Sequence, residues 1–62
     1  MTKLIKIKDV CELTSLARST VYKFVAENRF PRQVILGGNC VAWVEAEVIE
    51  WLEDKIARRD LD

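Results

Sequence analysis

Sixty-two residues, of which 50% are hydrophobic and 32% charged, suffice for one small core and exclude a two-domain enzyme, and the mixture is that of a folding chain rather than a disordered one. Ten basic and ten acidic residues cancel to a net charge of zero, and there is no histidine, which removes the commonest general base and the commonest zinc and haem ligand. We expect a single domain over residues 1–62. Its N-terminal residues 4–7 alternate apolar with lysine and read as a strand stub or an arm packed on the core. Residues 8–14, with Val10, Cys11 and Leu13 at helical spacing and Asp9 near the positive pole, suit a two-turn first helix. Thr14, Ser15, Leu16 and Ala17 make a short break, and a second helix follows over residues 18–27, with Val21, Phe24 and Val25 on its apolar side. It should stop at Asn28, which tolerates a left-handed backbone, ahead of Pro31. Residues 33–36 and 40–43 then read as two strands around a Gly37-Gly38-Asn39 tip, a β-hairpin. Residues 45–59 place Val48, Leu52 and Ile56 at four-residue steps, with Ile49 and Trp51 alongside, as an amphipathic third helix.

The charge cancellation is not local. Residues 1–44 hold seven basic side chains against three acidic ones, and residues 45–62 hold seven acidic against three basic. One end of the molecule is thus +4 and the other −4, so a surface for a polyanion exists without a basic isoelectric point.

Two short helices across a tight turn, followed by a glycine-tipped hairpin, give the order of a winged helix-turn-helix. The expected class is therefore mainly α with a small β-hairpin and a C-terminal helix. In such a domain the second helix enters a DNA major groove about 12 Å wide. Its outward face here carries Ser19 and Lys23, with Thr20 and Tyr22 flanking and Arg18 at its start. Arg18 and Lys23 are assigned to guanine edges or phosphate, and Ser19, Thr20 and the Tyr22 hydroxyl mainly to phosphate oxygens. Arg29 and Arg32 bracket the turn after this helix and are candidates to clamp the DNA backbone. Against these stands the plain reading of solvated residues on an amphipathic helix, which the hairpin and the basic half of the chain outweigh.

Several motifs together resemble a known family. Leu16-Ala17-Arg18-Ser19-Thr20-Val21-Tyr22-Lys23, then Arg29-Phe30-Pro31-Arg32, then Leu36-Gly37-Gly38-Asn39-Cys40-Val41-Ala42-Trp43, then Glu47-Val48 and Trp51-Leu52 look like the AlpA-type phage and prophage transcriptional regulators, over residues 4–58. The resemblance implies a compact winged helix-turn-helix, related to MerR-like and excisionase domains, that binds double-stranded DNA near an integrase gene and controls its transcription or prophage excision. It implies recognition contacts at Arg18, Ser19, Thr20, Tyr22 and Lys23, and a wing tip at Gly38 and Asn39. Three positions depart from the family pattern. Ala17 replaces a serine able to cap the second helix, Asn39 replaces a wing-tip arginine, and Ser15 replaces a glycine, which implies a left-handed backbone at modest cost.

Trp43 and Trp51 are expected in the core, and Phe30 is expected as a plug between the second helix and the wing rather than a DNA wedge. Cys11 and Cys40, with no C-x-x-C pair, are expected as free thiols, so neither a metal site nor a cofactor is anticipated. The carboxylates Glu45, Glu47, Glu50, Glu53 and Asp54 read as a solvated face; the alternatives are orientation by repulsion from DNA, or contact with a basic partner such as an integrase or RNA polymerase. No catalytic nucleophile and base can be assembled, so no enzyme is expected. Without a signal peptide or membrane helix the expected location is the cytoplasm, at the bacterial nucleoid. So short a module should bind as a dimer or cooperatively on repeated sites. Two other readings remain: an architectural excisionase-like factor that bends DNA, and a protein-interaction module using the acidic third helix.

Overall fold

The computed structural model describes residues 1–60. In chain order it contains β1 (Leu4–Ile5), α1 (Ile7–Thr14), α2 (Arg18–Ala26), β2 (Val34–Gly37), β3 (Cys40–Val44) and α3 (Glu45–Arg58). The hairpin of β2 and β3 becomes a three-stranded antiparallel sheet of order β1-β3-β2, because β1 pairs with β3 through Leu4 opposite Val44 and Ile5 opposite Trp43. The N-terminal stub is thus a true strand, held by a partner some forty residues away. The Glu45 N–H, donated to the Lys3 carbonyl at 2.9 Å, continues the ladder into the first turn of α3.

Ile5, Val10, Val21, Phe30, Trp43 and Val48 form the buried cluster, one or more from nearly every element, with Ile7, Cys11, Leu16, Phe24, Val25, Val41 and Trp51 packed around it. Ile7 therefore opens α1 rather than ending the stub, a one-residue shift of the expected boundary. Four apolar positions on the helical stripes stay outside this core, one of them the half-buried Leu52. Leu13, Ile49 and Ile56 are exposed, because the stripes are wider than the surface the other elements cover. Cys11 is half-buried and Cys40 exposed, both as free thiols.

Two turns set the geometry of α2. The α1–α2 turn is three residues long and begins with Ser15 at φ 61°, the left-handed conformation that its place in the sequence implied. The Thr14 hydroxyl donates to the Val10 carbonyl at 2.8 Å and accepts from the Leu16 N–H at 3.3 Å, so the turn keeps a backbone donor satisfied. At the other end Asn28 adopts φ 59°, its N–H reaches the Val25 carbonyl at 3.1 Å, and the Arg29 N–H reaches the Phe24 carbonyl at 2.8 Å. This pair of bonds is a Schellman closure, and it ends the helix where asparagine and the coming proline predict.

Candidate nucleic-acid interface

The segment leaving α2 is fastened from two sides. Trp43, fully buried on β3, donates its indole N–H to the Pro31 carbonyl at 3.0 Å, and Trp51 on α3 donates to the Arg29 carbonyl at 2.8 Å. Phe30 lies between these anchors, buried, with its ring edge-on to Trp51 at 4.8 Å. Both tryptophans and Phe30 therefore hold the chain together, as expected, and together they fix how β2 departs from α2.

That arrangement leaves one long side of α2 open. Arg18, Ser19, Tyr22, Lys23 and Ala26 are exposed, Thr20 is half-buried, and Val21 points into the core. Tyr22 is divided between two environments. Its ring leans on Trp43 at 6.0 Å between centroids, yet the residue stays 39% exposed.

The first turn of α2 runs against its own local stability. Ala17 sits at the N-cap in an extended conformation and supplies no side-chain hydrogen bond, and the turn holds no acidic residue. Arg18 instead occupies the positive pole of the helix, where a cation is unfavourable and an anion welcome. Among the described residues Lys3, Arg29, Arg58 and Arg59 are paired with carboxylates, whereas Lys6, Lys8, Arg18, Lys23, Arg32 and Lys55 are not, and of these six Arg18 and Lys23 are the two that α2 carries. Uncapped backbone donors and two unpaired cations thus lie on the same exposed helix.

The remaining expected residues divide between the two sides of the wing. Arg32 borders two hollows, one with Ala26, Asn28 and Ile35 at the C-terminal end of α2 and one with Glu47, Glu50 and Trp51 of α3. Arg29 is already engaged, with its guanidinium 4.6 Å over the Phe24 ring and 3.2 Å from the Glu27 carboxylate. Gly38, at φ 52°, and Asn39 form the exposed tip between β2 and β3. No charged residue occurs anywhere in residues 33–44, and β2 is an edge strand with Ile35 73% exposed and Leu36 also out. This apolar edge went unread in the sequence. Consecutive residues on a strand point to opposite faces, so with Ile35 and Leu36 both exposed neither face of this edge strand is covered at its middle. Thr14 was likewise missed as a builder of the turn, although a threonine closing a helix is the available signal.

The family model described as Prophage CP4-57 regulatory protein (AlpA) matches residues 3–56, which includes every described element except the end of α3. This chain belongs to the AlpA family. Among similar proteins, one of Enterobacteria phage P4 named "Uncharacterized protein ORF88" is 40% identical over 57 residues, covering 92% of this chain and 65% of the relative. The "DNA-binding transcriptional activator AlpA" of Escherichia coli (strain K12) is 30% identical over 59 residues, covering 86% of this chain and 84% of the relative. The chain therefore spans just under two thirds of the phage protein's length. Among the described residues no helix is long and apolar enough to cross a membrane.

Proposed function

We propose that this AlpA-family chain is a sequence-specific double-stranded DNA-binding regulator of phage or prophage type, acting on integrase expression or prophage excision, with residues 1–62 as one DNA-binding unit that performs no chemistry of its own. The observation that carries the reading is the open side of α2, where an uncapped helix start, Arg18 and Lys23 lie exposed with no carboxylate among the described residues to answer them. A phosphate at that start satisfies orphan N–H groups and neutralises Arg18 in one step. In this reading Arg18 and Lys23 reach guanine edges or phosphate, and Ser19, Thr20 and Tyr22 position the helix. Arg32 grips the backbone beside the end of α2, with Arg29 joining if it leaves Glu27. Gly38 and Asn39 bring the wing close without adding charge. The relative whose name records DNA binding and transcriptional activation supports the reading.

The test is selection of duplexes from a random library, followed by affinity for the winner and for a scrambled duplex at two salt concentrations. A preference of about a thousandfold or more supports the regulator. Equal binding to both duplexes overturns sequence specificity, and with bent product it favours an architectural factor. No binding to any duplex overturns the DNA reading itself.

A further inference from the structure

One flank of α3 carries side chains that neither the buried cluster nor the α2 face uses. Glu45, Ile49, Leu52, Ile56 and Arg59 recur at steps of four, three, four and three, the spacing that aligns residues in one seam along a helix. At 100° per residue this seam runs about 60° away from Val48, the buried residue that seats the helix. Ile49 is 38% and Ile56 53% exposed, and all of residues 53–60 are exposed. The C-terminal half of α3 therefore stands clear of the body.

The two ends of the seam have opposite charge, Glu45 at one and Arg59 at the other. Among the described residues each is paired within its own chain, the half-buried Glu45 with Lys3 at 3.6 Å and the exposed Arg59 with Asp60 at 3.8 Å. A second copy laid antiparallel about a two-fold axis near Leu52 sets each Glu45 against the other chain's Arg59 and brings the isoleucines together. A parallel copy stacks like on like. The seam is thus complementary to itself in one direction only.

We propose that α3 is a self-association surface whose occupant is a second copy of this chain, packed antiparallel through Ile49, Leu52 and Ile56 and fixed in direction by Glu45 and Arg59. Three apolar side chains per copy fall well short of the roughly 800 Å² per partner of a standard interface. The contact is therefore weak in free solution, and it becomes effective where two chains are held side by side at millimolar local concentration. On the DNA reading above, adjacent sites on one duplex supply that condition.

The experiment is sedimentation equilibrium of the whole chain without DNA, up to about 1 mM, the local concentration of linked sites. Concentration-dependent dimerisation is expected. Ile56→Glu, at an exposed position, should raise the dissociation constant by about tenfold or more with the circular-dichroism melt unchanged. Arg59→Glu should weaken association, and the double variant Glu45→Arg/Arg59→Glu should recover it, since both exchanged charges again face opposites. A chain that stays monomeric to the highest concentration, or an Ile56→Glu variant that associates like the parent, overturns the proposal. A double variant no better than Arg59→Glu alone overturns the antiparallel direction. Because DNA is absent, a monomeric chain that still selects a duplex separates failure here from failure of the DNA reading.

Discussion

Lys23 and Arg18 are the side chains on which the DNA reading depends most directly, and neither contributes to the core. Lys23→Ala and Arg18→Ala should each weaken specific binding by about 1–3 kcal/mol if the side chain reaches a base, and by a uniform loss across sequences if it reaches phosphate. Thermal midpoints should barely move, which a melt run beside the binding assay checks. The two tryptophans behave in the opposite way. Trp51→Phe leaves a partly accessible Arg29 carbonyl that water can reach, so denaturant unfolding should show a loss of about 1 kcal/mol. Trp43→Phe strands the Pro31 carbonyl beside a fully buried ring, and should cost about 2–4 kcal/mol. That both indoles belong inside was legible from their place on apolar stripes. Which carbonyls they hold was not, because residues 43 and 51 meet residues 31 and 29 only once the chain has folded back.

At the scale of elements, the first two helices and the hairpin were legible because each has a local signal for stopping or turning. Asn28 and Pro31 end α2, Ser15 ends α1, and Gly37 with Gly38 turns the hairpin. The strand β1 was legible only as a stub, since two residues have no local reason to be a strand and this one exists because Trp43 and Val44 offer an edge. The start of α2 is the element terminus most open to improvement. Ala17 already has the extended backbone of an N-cap, at φ −71° and ψ 153°, so Ala17→Ser should stabilise the fold by about 0.5–2 kcal/mol in chemical denaturation. The wing offers the complementary change. Its tip carries no cation, and Asn39→Arg should tighten binding and steepen the salt dependence by about one phosphate contact. An unchanged slope would mean the tip lies away from the duplex.

For the molecule as a whole, the zero net charge conceals a division between a basic body and an acidic α3. Its radius of gyration of 12.0 Å exceeds the roughly 10.6 Å expected for a compact chain of this length, in keeping with a helix that extends past its support. If Arg18, Lys23 and Arg32 are the cations that meet phosphate, the logarithm of the binding constant should fall with log salt at a slope of about −3. Titrations across a range of potassium chloride give that slope, and a value near zero would remove the backbone contacts. The polarity of the chain was legible in its charges, and so was the side of α2 that faces outward. The engagement of Arg29 with Phe24 and Glu27 was not, because it depends on the Schellman closure bringing that residue back over the helix. The double fastening of residues 29–31 reaches further still. With α2 and the wing already locked at one angle, docking orders little additional chain, and its heat-capacity change should match rigid burial of the contact surface. The larger change that accompanies segments folding as they bind has no source among the described elements.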